Sequence, residues 1–101
     1  MKNLIGNLNK AFENRIRLGV MSILMVNESV DFSYLKETLQ LTDGNLASHL
    51  NALEKSDYIE VKKSFVGKKP NTSYMATKVG KKAFQDHLNA LESLIRNTDN
   101  K

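Results

Sequence analysis

Residues 41–69 read LTDGNLASHLNALEKSDYIEVKKSFVGKK. A polar turn from Leu41 to Asn45 opens onto Leu46, Leu50 and Leu53, whose spacing places all three on one face of a helix. Thr42 is the expected N-cap, Asp43 suits the positive end of the helix dipole, and Gly44 eases the tight entry. After Ser56 and Asp57, Ile59, Val61 and Phe65 fall on one side of a strand, with Glu60, Lys62 and Ser64 on the other. Lys63 interrupts the alternation. Gly67 to Asn71, with the sole proline Pro70, predicts a hairpin turn before a short returning strand, Ser73 to Ala76. Turn, amphipathic helix, strand and a lysine-rich hairpin without carboxylates at its tip form the layout of a helix-turn-helix followed by a basic wing.

The flanks extend this frame. Leu4, Ile5, Leu8, Ala11, Phe12, Ile16, Val20, Ile23 and Leu24 recur at three- and four-residue steps and predict one helix over about 3–26. Val30 and Phe32 alternate with Asp31 as a short edge strand, and Ser33 can cap a helix over 33–40 that turns Leu35 and Leu39 inward. The recognition helix spans 42–56 and the wing 59–76. Thr77 can cap a last helix over 77–96, with an apolar face of Val79, Ala83, Phe84, His87, Leu88, Leu91, Leu94 and Ile95. The expected fold is mainly α with a small β-hairpin (α+β), a single domain over 1–101.

At 101 residues and 41% hydrophobic, the chain can bury one modest core. A net charge of +4 and a pI near 9.4 favour an anionic partner, although lysine-rich surfaces also serve solubility. With no cysteine, disulfides, thiolate metal sites and cysteine nucleophiles are excluded. The opening MKNLIGNLNKAF has no uninterrupted apolar run, so the expectation is a soluble cytoplasmic protein without a membrane partner. His49 and His87 are the only histidines, too few to suggest a transition-metal site. There is no glycine-rich phosphate loop, G-x-S-x-G elbow or catalytic acid pair, so neither enzymatic activity nor a cofactor is expected.

A helix entering the major groove needs short hydrogen-bonding residues on its leading face. Thr42, Asp43, Asn45, Ser48, Asn51 and Ala52 occupy that side. Lys62, Lys63, Lys68 and Lys69, beside Asn71, Thr72 and Ser73, suit phosphate oxygens. Either group alone would read as a solvated surface; their adjacency argues for double-stranded DNA. If all four wing lysines of two protomers neutralised phosphates, about eight charges would give a log–log salt slope of roughly −7.

The apolar ends exceed what one small domain needs to cover. Leu4, Ile5, Leu8, Phe12, Phe84, Leu88, Leu91, Leu94 and Ile95 are the expected homodimer interface, unless the two ends pack together within one chain. A two-fold dimer would set recognition helices about 34 Å apart, one turn of DNA.

The segments 8–24, 30–74 and 77–84 resemble the small bacterial winged-helix transcriptional regulators related to MarR and ArsR, most specifically in LTDGNLASHL and FVGKKPNTSY. The resemblance implies that Thr42 to Asn51, including Gly44, Ala47 and His49, reads bases and phosphates, that the wing from Lys62 to Ser73 contacts backbone, and that Arg17 and Ser33 support it. It also implies repression as a homodimer. The family often has a serine and an arginine before the helix histidine, whereas this chain has Ala47 and Ser48, which shifts weight to the wing. Asp43 is unfavourable near phosphate but can accept a hydrogen bond from cytosine N4. The leading expectation is a sequence-specific DNA-binding repressor. The rival is a winged-helix protein-interaction module, and the sequence leaves any small-molecule effector open.

Overall fold

The computed structural model describes residues 5–97. A 3-10 turn at Lys10–Phe12 precedes α1 (Arg15–Met25), β1 (Val30–Asp31), α2 (Phe32–Leu39), α3 (Asp43–Lys55), β2 (Ile59–Val66), β3 (Lys69–Ala76) and α4 (Lys78–Asn97). The strands form one antiparallel sheet in the order β1-β3-β2. Four helices and a small sheet carrying a hairpin make the winged helix-turn-helix fold expected from the sequence.

Val20, Met21, Leu24, Leu35, Leu46 and Leu53 are fully buried, so α1, α2 and α3 enclose the centre of the core. Leu50, Ile59 and Tyr74 join them and seat the base of the hairpin on α3. This packing orients α3 with its leucines inward and the opposite face in water.

The single long first helix does not form. Asn9 caps the 3-10 turn by accepting from the Ala11 N–H, and Asn14, with an extended backbone, accepts from Ile16 and Arg17 to start α1 afresh. Asparagine side chains compete for backbone donors, and two of them divide a stripe whose apolar spacing is otherwise helical. The break turns Phe12 inward, where its ring lies 5.3 Å from Tyr58, 5.1 Å from Phe84 and 5.5 Å from His87. Phe12 and Phe84 are only 2% and 3% exposed, which removes both from the dimer face expected for them.

Asp31, and not Ser33, caps α2 by accepting from the Tyr34 N–H at 2.8 Å. Thr42 caps α3 as anticipated, its hydroxyl accepting from Asn45. Gly44 does not make the turn: the left-handed residue there is Gln40, with φ 55°, while a Cβ on Gly44 would meet nothing within 4 Å.

The wing turn is tighter than the expected loop through Asn71. Val66 pairs with Lys69, leaving Gly67 and Lys68 as a two-residue loop with φ +66° at Gly67, the left-handed conformation that favours glycine there. Pro70 sits within β3 opposite Phe65. β1 pairs with β3 only at Ser73 and Tyr74, so Pro70 lies where β3 is itself an edge and needs no donor.

Thr77 caps α4 through the Gly80 N–H, and its own hydroxyl donates to the Asp57 carbonyl at 2.6 Å. Gly80 is buried against the Tyr58 carbonyl, where an added Cβ would stand 2.0 Å from the oxygen. His87 accepts the Asn9 N–H at Nδ1, and the Asn9 amide donates to the Tyr58 hydroxyl. The N-terminal turn, the α3–β2 junction and α4 are thereby tied together.

Candidate nucleic-acid interface

Thr42, Asp43, Gly44, Asn45, Ala47, Ser48, Asn51 and Ala52 are all exposed, and only His49 of the expected reading residues is half-buried. Asn45, Ser48 and Asn51 follow one another at three-residue steps along the side away from Leu46, Leu50 and Leu53, with Thr42 at the helix entry as its cap. This is a continuous polar face of small hydrogen-bonding side chains, opposite the buried leucines.

Asp43 is partnered. Lys36 of α2 approaches its carboxylate at 2.8 Å, bridging the two helices of the helix-turn-helix. The ammonium offsets the carboxylate's charge, a pairing the sequence reading missed because the two residues lie seven positions apart across a turn.

Arg17 is a positioning group. Its Nε donates to the Ala11 carbonyl and its guanidinium donates to His49 Nδ1 at 2.9 Å. Arginine has no acceptor, so His49 accepts at Nδ1 and carries its proton on Nε2. Burial, and secondarily the Arg17 charge, pushes the His49 pKa below its ordinary 6.5. The result is a neutral imidazole with one donor fixed in place on α3.

The hairpin register sorts the wing. Val61 pairs with Tyr74, Lys63 with Thr72 and Phe65 with Pro70, so these share one face; Lys62 with Ser73, Ser64 with Asn71 and Val66 with Lys69 share the other. A groove of about 530 Å³ between α3 and the hairpin is lined by Leu50, Asn51, Glu54, Val61, Lys63, Thr72 and Tyr74. Lys63 and Thr72 therefore stand on the side of α3, while Lys62, Lys69, Asn71 and Ser73 stand on the reverse, and Lys68 occupies the loop. All four lysines are exposed. Burial, then Glu54, raises the pKa of the Tyr74 hydroxyl at the floor of this groove.

Ser33, although not a cap, shares a depression with Phe32, Pro70, Asn71 and Thr72, between the start of α2 and β3. Arg15 was not singled out from sequence, yet it borders Gln40 and Leu41 of the turn before α3. The signal was available: a cation in the first turn of a helix opposes the dipole and asks for another reason to be there.

Of the expected dimer residues, Ile5, Leu88, Leu91 and Ile95 are exposed and Leu8 and Leu94 half-buried, while Leu4 lies outside the described residues. Gly80, Phe84, His87 and Ala90 are the buried face of α4, leaving Leu88, Leu91 and Ile95 as a second, outward apolar seam. Among the described residues no three His, Cys, Asp or Glu side chains gather as a metal site, and no helix is long and apolar enough to cross a membrane.

A polar helix face beside a basic hairpin defines a class: the chain belongs to the winged helix DNA-binding domain family, whose model matches residues 16–95. It is 36% identical over 90 residues to an uncharacterized protein of Methanocaldococcus jannaschii, spanning 89% of this chain and 98% of that one. A transcriptional regulator homologue from Pyrococcus horikoshii superposes with a TM-score of 0.84 at 28% identity, covering 96% of this chain and 94% of that chain. A MarR-like transcription regulator from Bacillus cereus shares the fold, with a TM-score of 0.69 at 20% identity over 93% of this chain and 70% of that one. Family and neighbours together support a DNA-binding regulator.

Proposed function

We propose that this protein is a sequence-specific, homodimeric double-stranded-DNA regulator that represses transcription by occupying its operator. The observation that carries the reading is the exposed face Asn45, Ser48 and Asn51, with Thr42 at its entry, on a helix whose other side is locked into the core, adjoining a hairpin with no carboxylate from Val61 to Ala76. In this reading α3 enters the major groove, with Asn45, Ser48 and Asn51 at base edges and the Thr42 end near phosphate. Lys63 and Lys68 neutralise flanking backbone, with Lys62 and Lys69 adding longer-range attraction. Asn71, Thr72, Ser73, Ser33 and Arg15 are secondary backbone contacts, and Arg17 acts through His49.

Two protomers join through the Leu88, Leu91 and Ile95 seam of α4 together with the N-terminal segment around Ile5 and Leu8. Nothing in this scheme calls for a cofactor or a catalytic residue.

The test is selection from a random pool of short duplexes at two salt concentrations, followed by sequencing of the retained fraction. A two-fold enriched motif with a steep salt slope is expected. No enrichment, with weak salt-sensitive retention, would replace this reading with a winged-helix protein-interaction module using the α4 seam.

A further inference from the structure

Phe65 and Val66, at the tip of the wing, are 74% and 67% exposed. They lead into the two-residue loop and stand among Lys62, Lys63, Lys68 and Lys69, in a stretch with no acidic residue from Val61 to Ala76. An aromatic and a branched aliphatic side chain at the water-facing end of a hairpin are not explained by folding, since neither reaches the core.

The register gives Phe65 a direction. It shares a face with Lys63, Thr72 and Pro70, and closer to the body that face carries Val61 and Tyr74 against α3. Phe65 therefore projects on the same side as the groove beside the recognition helix, with Pro70 opposite it as a rigid apolar backing. What fits a ring bordered by ammonium groups is a polyanion with an apolar floor. The minor groove of a duplex is such a surface: two phosphate rows enclose sugar walls and base edges, and apolar side chains can wedge between its base steps.

We propose that Phe65, backed by Pro70, is a specificity-determining wedge that enters the minor groove flanking the segment read by α3 and partly unstacks one base step there. The inference rests on the DNA-binding reading above. Its consequence is a preference for deformable pyrimidine–purine steps at a position that no side chain reads by hydrogen bonds.

The experiment uses the full chain on a duplex of about 30 base pairs carrying the enriched motif, with the flanking step varied and 2-aminopurine placed at that step. Wild type should prefer a TA or CA step over a stiff AA step by at least about fivefold and should raise 2-aminopurine fluorescence on binding. Phe65→Ala should lose both effects while keeping the motif preference set by α3, and Phe65→Leu should restore part of the step preference. Because Phe65 is exposed, Phe65→Ala should melt with wild type, and circular dichroism checks this.

Wild type showing motif-specific binding without step preference or fluorescence change would overturn the wedge while leaving the DNA-binding reading intact. Failure of wild type to enrich any motif would overturn both. Phe65-dependent binding to vesicles of phosphatidylglycerol and phosphatidylcholine, with duplex binding indifferent to Phe65, would assign the tip to a membrane surface and likewise overturn the proposal.

Discussion

Gly80→Ala is expected to destabilise the protein sharply. The added Cβ would stand 2.0 Å from the Tyr58 oxygen, 2.8 Å from its carbonyl carbon and 2.9 Å from its Cα, all backbone atoms that no rotamer change can move aside. To restore even a tight contact of about 3 Å, α4 would have to withdraw by about 1 Å. That motion strains the Thr77 N–H bond to the Tyr58 carbonyl (3.0 Å) and the Thr77 hydroxyl bond to Asp57 (2.6 Å). It also loosens Phe84 and His87 against Phe12. Overpacking costs about 1–3 kcal/mol, and weakening two hydrogen bonds adds about 1–2 kcal/mol. Against this, alanine's better helix propensity returns about 1 kcal/mol. The net is a loss of about 1–4 kcal/mol, a sizeable share of the 5–15 kcal/mol typical of a domain. Urea denaturation at several protein concentrations measures it, with Gly44→Ala as the control. Gly44 is helical with open space at its Cβ position, so alanine there should stabilise by up to about 1 kcal/mol. If Gly80→Ala were as stable as wild type, the close approach of α4 to Tyr58 would be wrong, and with it the placement of the outward α4 seam.

Four further outcomes follow from the same geometry. Lys63→Ala with Lys68→Ala should flatten the log–log salt slope by about 3–4 in a dimer, and more than Lys62→Ala with Lys69→Ala does; equal effects would deny the two faces of the wing distinct roles. Asn45→Ala or Ser48→Ala should change the preferred motif by about 1–3 kcal/mol at one base pair, whereas uniform loss on all sequences would argue against base reading. The His49 pKa lies below its ordinary 6.5, so around and below that pH the unfolded chain binds more protons, and the His49 contribution to stability is full above about 6.5 and lost as pH falls through the folded value. His49→Gln should flatten that part of the stability–pH curve in denaturation titrations, and an unchanged curve would deny His49 a lowered pKa in the folded chain. Finally, Leu88→Lys with Leu91→Lys should leave the helical spectrum intact while converting a dimer to monomer in sedimentation; a dimer that persists would place the interface elsewhere.

The exposed face of α3 was legible because its information is local. Leu46, Leu50 and Leu53 fix the buried side by periodicity, and Thr42 at the entry is a cap whose hydroxyl has a donor within three residues. Thr77 was legible for the same reason. The first helix was not: its apolar spacing fits a helix throughout, and only the side-chain bonds of Asn9 and Asn14 show that the chain stops and restarts. Phe12 and Phe84 consequently looked like surface stripe residues, although each completes the other's burial through a contact 72 positions apart in sequence.

Beyond the first helix, periodicity, caps and charge thus determined the order of the elements and the side of α3 left in water, since these depend on residues within one or two turns of each other. Tertiary structure decided what covers what. The Lys36 bridge to Asp43, the Arg17 clamp on His49 and the seating of Gly80 on Tyr58 all join residues whose proximity exists only after the helices pack. The facing of Lys63 and Phe65 toward the α3 side followed from strand register, which a two-residue turn sets and which a shift of one residue would have reversed.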